Sequence, residues 1–119
     1  MIGVIKMSKD DYYVIVYKLL SYLYICLKKC NVIDIDNLRD IIRADIGDYY
    51  WEYIIRQLCK EGYVEGVTTF KYIGDMDERV RINKNFKITP KGIDFLQSNS
   101  SIAKAEAFLK EIKEILPWL

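Results

Sequence analysis

One segment of the chain, residues 48–62, brings together side chains with the chemistry to recognise nucleic acid. Five polar or aromatic residues lie opposite an apolar stripe at helical spacing: Tyr49, Tyr53, Arg56, Gln57 and Lys60. Arginine and glutamine side chains hydrogen-bond purine edges in the major groove of DNA, and tyrosine and lysine side chains contact phosphates. The alternative is a solvated helix face on which Arg56 pairs with Glu52, one turn earlier.

Further cations follow in a predicted β-hairpin. Apolar and polar residues alternate in its return strand, so this strand has two unlike faces. One face holds Val80, Ile82, Phe86 and Ile88, and the other holds Arg79, Arg81, Asn83, Asn85 and Lys87. We expect the first face to join the core and the second to be wet and basic. The candidate phosphate contacts of the hairpin are Lys71, Arg79, Arg81 and Lys87.

The charge of these two segments is weak for a DNA-binding surface, which normally presents cations to phosphate. Residues 31–62 carry four Lys/Arg and seven Asp/Glu, a net of −3, and residues 63–88 carry five and four, a net of +1. The tip of the hairpin is acidic, with Asp75, Asp77 and Glu78. Two interpretations therefore stay open, a surface that contacts DNA and one that docks a protein through tyrosine and arginine side chains.

Catalytic chemistry finds little support in the residue types. The chain of 119 residues has no histidine, so a Ser-His or Cys-His nucleophile cannot be built, and no glycine-rich phosphate loop is present. We expect the three cysteines, Cys26, Cys30 and Cys59, to be reduced and to be buried as small apolar side chains. A structural zinc site is not expected, because it needs four ligands. We predict no enzyme activity, no cofactor and no metal.

The chain is predicted to be cytoplasmic and to lack a membrane span. Residues 1–7 are too short for the apolar segment of a signal peptide. The longest apolar stretch, residues 12–27, is shorter than the roughly 20 residues that a bilayer requires. It also contains Lys18 and five tyrosines.

Capping signals and apolar periodicity predict three helices in the first half of the chain. Helix 1 covers residues 9–29 and begins at a capping box formed by Ser8 and Asp11. Residues 36–62 form a helix-turn-helix, in which Asp36 caps a helix that ends near Asp45.

The second helix of this helix-turn-helix is capped by Asp48 and stopped by Gly62. Its apolar stripe is wide enough to face a core, and it consists of Trp51, Ile54, Ile55 and Leu58.

After Gly62 the apolar period changes from helical to extended. Residues 63–88 form a hairpin, with a bulge at Gly66 and a turn at residues 74–78. Thr89 and Pro90 then begin the C-terminal helices, residues 89–116. The order of elements predicts a single domain over residues 1–119 of the α+β class, mostly α: a winged helix-turn-helix with a C-terminal helical extension.

Segments at the start of the hairpin and after it resemble a known family. They are Glu61-Gly62-Tyr63-Val64-Glu65-Gly66-Val67 and Ile88-Thr89-Pro90-Lys91-Gly92-Ile93-Asp94-Phe95-Leu96. These segments, and the lysine-rich tail at residues 105–114, are similar to the YjcQ-like family of small winged-helix proteins from low-GC bacteria and their phages. The resemblance implies a fold of the DNA-binding type, but it does not indicate which DNA sequence or other target is bound. The longer, more aromatic helix 1 departs from the family pattern.

Self-association is predicted from two apolar helices. Helix 1 is apolar on nearly every side, more than a small domain is expected to cover, and the last helix has an apolar stripe at near-heptad spacing. We expect these helices to pack together and to form a two-fold interface. The expected interface residues are Tyr13, Tyr17, Leu20, Tyr24, Phe108, Leu109, Ile112 and Leu116.

Two functions follow from these observations. The leading hypothesis is a homodimeric regulator of transcription that contacts double-stranded DNA through the third helix and the hairpin. The alternative is a protein-binding adaptor or phage-encoded inhibitor that docks a protein partner through the same surface.

Overall fold

The structure, a computed structural model, describes residues 12–98 of the chain. Its elements follow in the order α1 (Tyr12–Lys28), α2 (Leu38–Ile41), α3 (Asp48–Lys60), β1 (Val64–Phe70), β2 (Arg79–Ile88) and α4 (Pro90–Ser98). The two strands pair in an antiparallel sheet. The described part is therefore an α+β domain, and its order of elements is compatible with a winged helix. The predicted capping box and the last helix lie outside the described residues.

The helix α1 supplies more buried core side chains than any other element of the described residues. It packs against β2 and α4, while α3 packs against both strands. Its buried apolar side chains are Ile15, Val16, Leu19, Leu20, Tyr22, Leu23 and Cys26. Each large aliphatic side chain buried here stabilises the fold by about 1.5–3 kcal/mol. Among the apolar side chains of α1, Tyr13 and Leu27 are exposed and the others are buried or half-buried, so the domain covers most of this helix but not all of it.

Tyr22 links the core to the connection after α1. The backbone N–H of Asp34 donates a hydrogen bond to its hydroxyl oxygen at 3.2 Å. Burial of the phenol raises the pKa of Tyr22 to about 12, and burial also raises the pKa of the Cys26 thiol. Both groups are therefore neutral, as a core requires.

The second helix is shorter than predicted. It covers only Leu38–Ile41, and its N-cap is Asn37 rather than Asp36. The helix ends where Arg43 takes a positive φ of 55°, so that the N–H of Ala44 bonds back to the carbonyl of Arg39.

The third helix is confirmed, with one difference at its start. Gly47 is the N-cap and Asp48 is the first helical residue, so the predicted cap by Asp48 is wrong. The Asp48 carboxylate pairs instead with the Arg39 guanidinium at 2.8 Å, which fastens α2 to α3. At the other end Gly62 has a φ of +78° and the N–H of Tyr63 bonds to the carbonyl of Leu58, as a glycine stop predicts.

The predicted apolar stripe of α3 is buried. It consists of Trp51, Ile54, Ile55 and Leu58.

The hairpin changes register at Gly66. Glu65 pairs with Lys87, whereas Val67 pairs with Ile82, so this one glycine faces the four residues 83–86. The predicted irregularity is confirmed, and its extra residues lie in β2. Gly66 has a φ of +88°, and a Cβ there would lie 2.6 Å from the Cα of Phe86. Only glycine fits this position.

The start of α4 is confirmed by its cap. The Thr89 hydroxyl accepts a hydrogen bond from the N–H of Gly92 and donates one to the carbonyl of Gly62. Pro90 occupies the first helical position. This single side chain therefore joins the end of α3 to the start of α4.

We expect Gly66→Ala to destabilise the domain by about 2–4 kcal/mol, because the new methyl group meets the backbone of Phe86 in a conformation that alanine disfavours. Urea unfolding at neutral pH measures the change. Gly47→Ala is the control, since Gly47 has open space around it and a negative φ, and it should cost less than about 1 kcal/mol. Equal losses in the two variants would contradict this account of the register shift.

Candidate docking surface

The polar face of α3 lies against the loop that joins the two strands, residues 71–78, hereafter the hairpin loop. The guanidinium of Arg56 donates a hydrogen bond to the carbonyl of Glu78 at 2.7 Å, and only 8% of Arg56 is exposed. The hydroxyl of Tyr49 donates to the carboxylate of Asp77 at 2.7 Å. Arg56 thus holds the loop, and its predicted role in reading base edges would require the contact with Glu78 to break.

Glu52 makes a second link between α3 and the hairpin. Its carboxylate accepts hydrogen bonds from the Nε of Arg79 at 3.0 Å and from the backbone N–H of Val80 at 3.1 Å. The Glu52 carboxylate thereby occupies the Val80 N–H, which would otherwise be open to pairing with another strand. The same carboxylate raises the pKa of Arg79 further above its usual range. The pairing of Glu52 with Arg56 considered from helical spacing is wrong, since each residue bonds to the hairpin.

A groove of about 430 Å³ remains between α3 and the hairpin loop. Its lining carries four carboxylates and two guanidinium groups, which gives a net charge of −2. The lining residues are Tyr49, Glu52, Arg56, Gly74, Asp75, Met76, Asp77, Glu78 and Arg79. An acidic groove with an aromatic wall attracts cations and repels phosphate.

The hairpin loop presents large apolar side chains to solvent. Ile73 is fully exposed, and Met76 is 90% exposed. The loop is held by its own bonds, since the N–H of Tyr72 donates to the carboxylate of Asp75 at 2.8 Å and the N–H of Asp75 donates to the carbonyl of Tyr72 at 3.0 Å. These exposed side chains of the hairpin loop, together with Tyr49 of α3, are called the apolar tip. It consists of Tyr49, Tyr72, Ile73 and Met76.

Four tyrosine rings form a second cluster, hereafter the tyrosine cluster, where the start of α1 meets α3. The rings of Tyr12 and Tyr13 lie 5.0 Å apart, and Tyr53 lies 6.3 Å from both Tyr12 and Tyr50. Burial raises the pKa of Tyr12 to about 12. The sequence predicts Tyr13 to lie in a dimer interface and Tyr53 to contact DNA. In the structure the two tyrosines belong to one surface.

Tyr49 stands beside this cluster on α3 and is 72% exposed. Its hydrogen bond to the Asp77 carboxylate raises the pKa of the phenol. The ring is thereby fixed in an outward position, which preorganises it for contact with a partner.

The remaining predicted DNA contacts are scattered. Lys60 and Lys71 are exposed, and Gln57 is half-buried. The guanidinium of Arg81 lies 5.2 Å from the centre of the Phe70 ring, and the ammonium of Lys87 lies 3.7 Å from the carboxylate of Glu65.

The predicted dimer residues also have different environments. Leu20 is fully buried inside the domain, so its assignment to an interface is wrong. Tyr17 stacks on Phe95 at 5.7 Å, and Tyr24 lies 4.3 Å from the ammonium of Lys28. Phe108, Leu109, Ile112 and Leu116 lie outside the described residues. The two-fold interface stays a prediction.

The predicted burial of the three cysteines is only partly correct. Cys26 is buried and Cys59 half-buried, but Cys30 is exposed, in a left-handed turn with a φ of 55° that ends α1.

Between residues 12 and 98, no group of three or more histidine, cysteine or acidic side chains is placed to hold a metal. None of the helices in this range is both long and apolar enough to cross a membrane.

Residues that sequence reasoning did not assign to the surface carry much of it: Tyr12, Tyr50, Tyr72, Ile73, Met76 and Asp77. The available signal was the run of large apolar residues inside a turn, Tyr72, Ile73 and Met76, which a connecting loop does not need for its own folding.

Comparison with known proteins gives one match. The family model described as YjcQ protein matches residues 17–115. No curated protein and no solved structure matches the chain.

We expect Arg56→Ala to destabilise the domain by about 1.5–3 kcal/mol, because it removes a charged hydrogen bond and leaves the Glu78 carbonyl without its donor. It should also speed hydrogen exchange of the amides at residues 75–80. Lys60→Ala, on the exposed end of the same helix, should stay within about 0.5 kcal/mol of the original chain. Exchange unchanged by Arg56→Ala would show that Arg56 does not hold the loop.

Proposed function

The chain belongs to the YjcQ family. We propose that it is a regulatory module of the winged-helix type that docks a protein partner. The order of elements supports the winged-helix assignment, with α2 and α3 as its helix-turn-helix and the hairpin as its wing. The docking surface comprises the apolar tip and the neighbouring tyrosine cluster.

The observation that carries the proposal is the concentration of exposed apolar and aromatic side chains around the hairpin loop. Three of them, Ile73, Met76 and Tyr49, are at least 72% exposed. Single exposed apolar residues are ordinary, but three on one ordered loop, Tyr72, Ile73 and Met76, mark an interaction site. Tyrosine and methionine are also enriched in protein interfaces.

The position of the cations supports a protein partner over DNA for the face of α3. Arg56 is buried against the Glu78 carbonyl, and Arg79 is paired with Glu52. The groove beside them has a net negative lining. A helix that enters the major groove would need the reverse arrangement, with cations free and the loop clear of the helix.

Replacement of Ile73 tests the proposal. Affinity capture by the tagged chain, expressed in the cells that carry its gene, should enrich a protein that Ile73→Ser captures at least about tenfold less well, as expected for a residue at the centre of an interface. Quantitative mass spectrometry measures the ratio.

Val32→Ser is the matched control, because Val32 is also an exposed aliphatic residue, 89% exposed in the connection after α1. It should capture the partner as well as the original chain does. Equal capture by all three chains would refute docking through the apolar tip.

A second candidate function rests on the outer face of the hairpin. Thr68 pairs with Arg81 and Phe70 with Arg79, so these side chains share one face, and Arg81 lies over the Phe70 ring. Lys71 and Lys84 are exposed nearby in the chain. Exposed cations of this kind can bind the phosphates of nucleic acid.

This candidate predicts binding to mixed duplex DNA at low salt that weakens steeply as salt rises. Fluorescence anisotropy measures it. Arg81→Glu should abolish the binding, whereas Lys29→Glu, at the exposed end of α1, should change it little. A chain that shows no binding at low salt does not use the hairpin face for DNA.

A further inference from the structure

We infer that the groove between α3 and the hairpin loop receives an arginine or lysine side chain from a segment of the partner protein in which apolar residues flank the cation. The inference rests on the proposed docking function and names the chemistry of the partner. It follows from the charge of the groove, from the fixed position of one aromatic wall, and from the apolar side chains at the rim.

The two cations in the groove lining are already bonded within the domain. The Arg79 guanidinium lies 3.0 Å from the Glu52 carboxylate, and Arg56 donates to the Glu78 carbonyl. The acidic side chains of the loop keep acceptor capacity, because a carboxylate has about four lone-pair sites. Asp77 accepts one bond from Tyr49, and Asp75 accepts one from the N–H of Tyr72.

Tyr49 gives the groove a wall that suits a cation. Its ring is exposed, and its hydroxyl is held by Asp77, so the carboxylate lies at the edge of the aromatic ring. A guanidinium or ammonium group can lie over the ring and donate hydrogen bonds to the carboxylates beside it. The groove volume of about 430 Å³ is more than one such side chain requires.

The rim of the groove selects the neighbours of that cation. Met76 lines the groove, and Ile73 lies three residues before it in the same loop; both are exposed. Apolar residues on either side of the cation would cover these side chains. Phosphate-bearing ligands are excluded by the same charge, since the lining has a net charge of −2 and its two cations are engaged.

Peptide selection tests the inference. A random peptide display library is selected on the full chain, and peptides that fail to bind Ile73→Ser are kept, so that each one uses the apolar tip. We expect these peptides to share an arginine or lysine next to apolar residues. Exchange of that cation for glutamine in a synthetic peptide should weaken binding about tenfold, measured by anisotropy.

Variants of the protein provide the charge control. The triple variant Asp75→Asn, Asp77→Asn, Glu78→Gln keeps the side-chain acceptors for Tyr49 and Tyr72 and removes three negative charges. It should weaken the same peptides about tenfold. The matched triple variant Asp36→Asn, Asp40→Asn, Asp94→Asn removes three exposed negative charges elsewhere and should leave binding within about twofold.

The outcomes separate the inference from the proposed function. Selected peptides that require Ile73 but lack a cation, or that bind the loop triple variant as tightly as the original chain, would overturn the inference and leave docking through the apolar tip in place. A selection that yields no peptide dependent on Ile73 would overturn both.

Discussion

Two charged side chains one turn apart on α3 hold the hairpin against the helix. Glu52 reaches the edge of β2 through Arg79 and the amide of Val80, and Arg56 reaches the carbonyl of Glu78. A two-stranded hairpin alone is at most marginally stable in water, so these bonds and the burial of Phe86 and Ile88 give it a fixed position. The groove and the outward direction of the apolar tip both depend on this attachment.

The attachment also decides which side chains are left for a partner. The attachment uses Arg56 of α3 and Arg79 beside it, while Lys60 at the end of the same helix stays exposed. It leaves Tyr49, Ile73 and Met76 exposed, since the loop that carries the last two is ordered by its own hydrogen bonds. A surface whose cations are internally bonded and whose apolar residues face solvent is suited to a protein rather than to a phosphate backbone.

The parts of the structure that follow from local signals were predictable from the sequence. Gly62 ends α3, Thr89 begins α4, and Gly66 marks the register shift, because each position needs a particular residue type. The candidate surface was less predictable. Helical spacing pairs Glu52 with Arg56, whereas their partners lie 22 to 28 positions away and become neighbours only when the hairpin folds back. Likewise, the sequence places Tyr13 and Tyr53 on different predicted surfaces, because no pattern within one helix shows that the start of α1 meets α3.

The negative charge of residues 31–62 acquires a structural explanation that bears on function. Asp48 pairs with Arg39 and Glu52 pairs with Arg79, while Asp34 accepts bonds from the N–H and side chain of Asn37. Asp34 organises the start of α2, Asp48 fastens α2 to α3 and Glu52 fastens the hairpin, so part of the acid in this segment serves internal bonding. The charge count disfavoured DNA on the assumption that acidic residues repel phosphate at the surface. The geometry gives a more direct reason, since the two arginines at the face of α3, Arg56 and Arg79, are already bonded within the domain.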